Sequence, residues 1–153
     1  MFEIIEEKDG KYILSKLIFT SDEFTEKSIN PHYYKEVVFE DCIFYNVAVS
    51  LNDSTERVNA SSKFIDCKFM DITNGWSIIT YSTIEINNCS FTNLSDRGAI
   101  QVQEHNSNIN VKITNCYFDS EALTKYTIQE RSKMKLYQLD NYCIFIASRY
   151  LDS

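Results

Sequence analysis

Glu85-Ile86-Asn87-Asn88-Cys89-Ser90-Phe91-Thr92-Asn93 has three counterparts in the same chain: Val38-Phe39-Glu40-Asp41-Cys42-Ile43-Phe44-Tyr45-Asn46, Lys63-Phe64-Ile65-Asp66-Cys67-Lys68-Phe69-Met70-Asp71 and Lys112-Ile113-Thr114-Asn115-Cys116-Tyr117-Phe118-Asp119-Ser120. From its second residue each reads apolar, any, Asp or Asn, Cys, any, Phe, any, small polar. Two weaker copies extend the array. Leu14 to Ser21 places Leu17 at the cysteine position and Phe19 at the phenylalanine, and Asn141 to Ala147 keeps Cys143 and Phe145 without the Asp or Asn. All five cysteines thus fall in Cys-x-Phe pairs, spaced by 25, 22, 27 and 27 residues. A period of this length marks stacked units, each burying its apolar face against its neighbours.

Parity within the motif predicts its shape. Cysteine and phenylalanine are two apart and share one side of a strand, whereas the apolar residue three before the cysteine falls on the other side. A bend between them lets all three face inward. The residue at the bend is Asp41, Asp66, Asn88 or Asn115, and these types tolerate the left-handed conformation. Upstream, the pairs Ile84/Ile86 and Val111/Ile113 continue with the strand period. Between motifs lies a third apolar segment, Val47 to Leu51, Trp76 to Tyr81 and Ala99 to Val102. Three short strands per repeat suit one coil of a parallel β-helix.

These residues resemble the repeat of the right-handed parallel β-helix superfamily, the pectate-lyase-like solenoids. The likeness is carried by Asn88 to Asn93, Gly98-Ala99-Ile100-Gln101-Val102 and Val111 to Phe118. It spans residues 37 to 120 and implies a ladder of corner asparagines beside columns of aromatic and aliphatic side chains. The resemblance implies fold and not activity, because that superfamily hosts lyases, hydrolases, adhesins, fibres and binding modules. Pentapeptide repeats are disfavoured because the signature returns once per coil. Helical and leucine-rich repeats are disfavoured by a composition rich in Ile, Phe, Tyr, Thr and Asn.

The expectation is an all-β chain forming one domain over residues 1–153, a short right-handed parallel β-helix of about six coils with capping segments at both ends. Residues 1–36 form the first coil and cap, 37–120 the regular coils, and 121–153 a cap and a last irregular coil. Caps are expected because exposed strand edges invite aggregation. They are assigned to Met1–Lys11, Asp22–Lys35 and Glu121–Leu139, the last with a helical pattern in Ala122, Leu123, Glu130, Lys133, Met134 and Leu136.

The cysteines are expected to be a reduced, buried ladder, since stacked parallel side chains give poor disulfide torsion. No metal or other cofactor is expected, because there is no C-x-x-C pair and His32 and His105 lie near no cysteine in sequence. Met1 to Glu7 shows no secretory leader and no apolar run reaches membrane-spanning length, so the expected location is cytoplasmic.

Charge points outward. Residues 1–56 carry twelve acids against five bases, a local −7 equal to the net charge of the whole chain. Such a chain steers basic partners and disfavours nucleic acid and anionic membranes. No catalytic constellation emerges. Asn74, Ser77, Asp96, Arg97, Gln101, Gln103, Glu104 and His105 are the polar candidates of the middle strand and its loops, and a carbohydrate-active enzyme needs several carboxylates converging over many coils. The reading is therefore a non-catalytic acidic protein-binding module, foremost an immunity or antitoxin protein that covers a basic toxin, as a monomer or homodimer. The alternatives are a phage or mobile-element inhibitor of a host enzyme and a fibre module. Candidate partner-binding residues are Glu23, Glu26, Tyr33, Tyr34, Glu36, Asp53, Trp76, Tyr81 and Arg97, with burial the competing role for Trp76.

Overall fold

The computed structural model describes residues 6–20, 28–29, 35–51, 60–72, 75–94, 98–104, 110–119, 134–139 and 142–148. All regular structure among them is β. Strand β1 (Glu6–Lys8) is followed by β2 (Lys11–Ser15), β3 (Ile18–Thr20) and β4 (Ser28–Ile29). The next groups are β5 (Glu36–Glu40), β6 (Ile43–Tyr45) and β7 (Ala48–Leu51), then β8 (Ser61–Ile65), β9 (Lys68–Met70) and β10 (Ile78–Thr80). After them come β11 (Thr83–Asn87), β12 (Ser90–Thr92) and β13 (Ile100–Glu104), then β14 (Val111–Thr114), β15 (Tyr117–Asp119), β16 (Met134–Leu139) and β17 (Tyr142–Ser148).

Every third strand pairs with its equivalent one repeat away. Sheet A has the order β1-β2-β5-β8-β11-β14, sheet B β3-β6-β9-β12-β15 and sheet C β4-β7-β10-β13-β17-β16. All pairings between repeats are parallel, and only the outermost strands β1 and β16 pair antiparallel. A parallel β-helix fits this arrangement in its coarse features.

The chain turns where the sequence predicts it. Asp41, Asp66, Asn88 and Asn115 have φ between 53° and 56°, and Lys16 occupies the same place in the first repeat at 56°. The backbone ladder runs on through these residues: the amide of Asp41 donates to the Ile65 carbonyl at 2.9 Å, Asp66 to Asn87 at 3.1 Å and Asn88 to Thr114 at 3.1 Å. A second left-handed position follows the middle three sheet B strands, at Asn46, Asp71 and Asn93. Asp9 and Gly10, both at positive φ, close the hairpin of β1 and β2, as a two-residue loop of the I′ kind requires.

Inside, residues in register form columns. Phe19, Phe44, Phe69, Phe91 and Phe118 stack face to face with centroid separations of 4.6 to 4.9 Å and interplanar angles of 4° to 12°. Leu14, Phe39, Phe64, Ile86 and Ile113 make a second column in sheet A. The two columns meet edge-on, as where Phe39 lies 5.5 Å from Phe44 at 68°. Val49, Ile78 and Ile100 close the third side from sheet C. Two inward positions break the apolar columns: Thr80, buried in register between Leu51 and Val102, and Ser62, buried between Val37 and Ile84, whose hydroxyl has no partner among the described residues.

Setting aside β1 and β16, each sheet has five strands among the described residues, where six coils would supply six. Two sequence expectations change. The fifth Cys-x-Phe pair is not a copy of the motif. Its strand β17 pairs with β13 in sheet C, with Ile144 opposite Ile100 and Phe145 opposite Gln101, so the Ile144/Ile146 parity follows Ile100/Val102. Met134–Leu139, placed in a helical pattern, is instead a strand paired with β17. Its partner strand offers a continuous β template, which overrides a modest helix preference. The expected caps at Asp22–Lys35 and the remainder of Glu121–Leu139 lie almost wholly outside the described residues.

Two substitutions test this core. Phe69→Ala, which removes a ring stacked on both neighbours, is expected to cost about 3–5 kcal/mol, and denaturant melts within about 0.5 kcal/mol of the parent would contradict the packing. Ser62→Ala is expected to gain about 1–2 kcal/mol in the same assay, because it removes an unsatisfied buried hydroxyl.

Candidate interaction surfaces and the thiol column

The outer face of sheet A is closed by charge pairing. Register sets Lys11 beside Glu36 and Glu85 beside Lys112, and Glu36 bridges Lys11 at 3.4 Å and Lys63 at 3.3 Å. Glu85 meets Lys112 at 3.9 Å. These pairs are largely exposed, each contributing a few tenths of a kcal/mol at most to stability, and they compensate most of the charge on this face, leaving Glu40 exposed and without an ion pair among the described residues. Glu36, a sequence-predicted contact residue, therefore sits between two lysines of its own chain.

Two other predicted contact residues are described. Trp76 is buried, the role weighed against contact, and its ring lies over Gly98. A Cβ at residue 98 would stand 2.4 Å from Trp76 Cζ3, and Gly98 has φ of 124°. Tyr81 is half-buried at the end of β10, its amide donating to the Leu51 carbonyl at 3.3 Å. Glu23, Glu26, Tyr33, Tyr34, Asp53 and Arg97 lie outside the described residues, as do Asn74, Asp96 and His105. Ser77 is buried, with a hydroxyl that has no partner among the described residues. Among the described residues no group of three or more His, Cys, Asp or Glu is placed to hold a metal ion, and no helix is long and apolar enough to cross a membrane.

The outer face of sheet B is different, and the sequence reading passed over it. The three large hydrophobic residues exposed among the described ones, Ile18 (61%), Tyr45 (46%) and Tyr117 (59%), all project from this sheet. Register aligns Ile18 with Ile43 and Tyr45 with Met70. The signal was present: these are the unassigned positions of Cys-x-Phe-x, opposite in parity to the buried phenylalanine, and in several copies they are apolar. Aspartates stand at the corners on either side. Asp41 and Asp66 are exposed at one, and Asp71 is half-exposed at the other. Asp66 accepts from Asn88 at 2.7 Å and Asp71 from Asn93 at 2.8 Å, and none of the three is in an ion pair among the described residues.

Beneath the corner between sheets A and B runs the thiol column. Cys42, Cys67 and Cys89 are buried, Cys116 is half-buried, and all four are free. Each sulfur is shared between two backbone carbonyls: one two residues back, and one in the preceding coil. The inter-coil distances are 3.3 Å from Cys42 to Leu14, 3.3 Å from Cys67 to Phe39, 3.4 Å from Cys89 to Phe64 and 3.8 Å from Cys116 to Ile86. The acceptor is always the inward residue of the sheet A column. Hydrogen bonds with the thiols of Cys42 and Cys89, followed by burial, push Cys67 far above the usual thiol range, and Cys89 with burial does the same to Cys116. Cys42 and Cys89 are drawn downward because neighbouring S–H groups would stabilise a charge there. The groups acting most strongly on the four sulfurs are thiols, backbone and the apolar surroundings, with no cation among them. Burial and the adjoining thiols keep Cys67 and Cys116 protonated.

Compared with known protein families, curated proteins and solved structures, the chain matches none of them.

The thiol column sets a pH dependence. The folded chain holds the Cys67 and Cys116 protons while the unfolded chain releases them near 9, so stability is expected to fall as pH rises above about 9. Melts between about pH 9 and 11, above the range in which the lowered thiols Cys42 and Cys89 change protonation, check this; a rise there would contradict it. Gly98→Ala is expected to destabilise by about 2 kcal/mol or more, through both the strained φ and the Trp76 ring, and an unchanged melt would contradict the close approach.

Proposed function

We propose that the chain is a right-handed parallel β-helix of the pectate-lyase-like kind, with β1 and β16 covering its ends, and that it acts without catalysis as an acidic binding module for a basic protein, in the manner of an immunity protein or antitoxin. The observation that carries this reading is the charge distribution: the whole net −7 is matched by residues 1–56. Some of those acids are accounted for by the fold. Glu36 is neutralised within sheet A, whereas Asp9, Glu40 and Asp41 are exposed and form no ion pair among the described residues. Unpaired surface acids on a rigid stack accelerate encounter with a cationic partner and repel anionic ones. A cytoplasmic location is part of the proposal. It is supported by the four free thiols, three of them buried, which suit a reducing compartment.

The reading predicts kinetics. With the basic protein recovered from the native cell, Glu23→Gln/Glu26→Gln is expected to leave the melting temperature unchanged and to slow association several-fold. Raising salt from about 50 to about 300 mM is expected to slow the parent similarly. Stopped-flow or surface-resonance rates indifferent to both changes would remove the acidic-binder reading.

A further inference from the structure

We propose that the outer face of sheet B is the surface on which the partner docks, and that the partner presents an apolar patch ringed by lysine or arginine. This rests on the binding reading above and adds its location and the partner's chemistry. The two sheets leave a partner different things to do. Sheet A offers neutralised ion pairs, exposed and already solvated, and removing them from water carries a desolvation cost with little gain. Sheet B offers Ile18, Ile43, Tyr45 and Met70 on three adjacent strands and Tyr117 two strands further on, with Lys68, Ser90 and Thr92 between them, over a length of about 19 Å or four strand spacings. Apolar area released from water supplies binding energy, and tyrosines supply it at low entropy cost.

The corners decide the occupant. Asp41, Asp66 and Asp71 flank these side chains as carboxylates without cationic partners among the described residues, while Lys16 stands at the first corner and Lys68 near the middle of the face. The local balance is therefore acidic at both margins and the chain as a whole carries −7. A second copy brings like margins and like net charge together, and an anionic lipid surface meets the same repulsion. A cationic rim around an apolar centre is complementary on both counts.

The test uses the full chain in its native cell, with p-benzoylphenylalanine replacing Tyr45 or Tyr117 on sheet B, or Glu85 on sheet A as control. Melting temperatures first establish that each variant folds, and Tyr45→Ser/Tyr117→Ser provides a second route by loss of co-purification. Light is expected to yield adducts from positions 45 and 117, but not 85, with one basic protein, and these are lost in Asp41→Asn/Asp66→Asn/Asp71→Asn. A basic protein captured from position 85 alone would overturn the docking surface and leave the binding reading standing. Adducts of the chain with itself, adducts that survive the aspartate changes, or none from 45 and 117 would overturn the proposal. Finding no basic partner from any position would overturn the binding reading with it.

Discussion

A left-handed residue between each sheet A strand and its sheet B strand is the constraint from which the architecture follows. Without it, the inward residue three before the cysteine and the cysteine itself would point to opposite sides of one strand. With it, both enter one interior. Adopting that conformation costs an ordinary residue roughly 1–2 kcal/mol, and the chain limits the cost by composition: among the described residues, eight of the nine non-glycine residues at positive φ are Asp or Asn. Lys16 is the exception, in the first coil. Because amides at these corners still donate to the adjacent coil, the bend interrupts neither ladder nor register.

Register then dictates packing. Centroid separations of 4.6 to 4.9 Å in the phenylalanine column are the spacing of hydrogen-bonded strands, so face-to-face stacking is imposed by the backbone. The perpendicular contacts with Phe39 and Phe64 let two such columns interlock. Cysteine suits the corner because it fills little volume, tolerates apolar surroundings and still offers a weak donor to a carbonyl of the previous coil. Alanine would lack that donor, and serine would carry a stronger polar group to satisfy, as the orphaned hydroxyl of Ser62 illustrates.

The corner, the two sheet A and B columns and the third strand were legible in the sequence because burial there fixes both residue type and parity, as at Phe64, Asp66, Cys67 and Phe69. The second corner at Asn46, Asp71 and Asn93 was visible only as a small polar residue, because Asp and Asn serve many kinds of turn. Cys143 and Phe145 misled for a related reason: two residues of spacing two define a strand face without saying which sheet the strand joins, and the missing Asp or Asn before Cys143 was the better clue. The sheet B surface went unread because its residues vary from Ile18 to Lys68 to Ser90 along one register, and only the pairing of β3, β6 and β9 brings Ile18, Ile43, Tyr45 and Met70 onto adjacent strands. Of the candidate contacts, Glu36 and Trp76 illustrate the opposite limit: neighbours far away in sequence, Lys63 and Gly98, determine what each can do.

Stacking in register is the claim beneath all of this, and ring-to-ring nuclear Overhauser effects measure it most directly. With selectively labelled phenylalanine, the account predicts contacts from Phe44 to Phe69, Phe69 to Phe91 and Phe91 to Phe118, in keeping with separations of 4.6 to 4.8 Å. Absence of those sequential contacts, with the rings instead near solvent or near other elements, would contradict it.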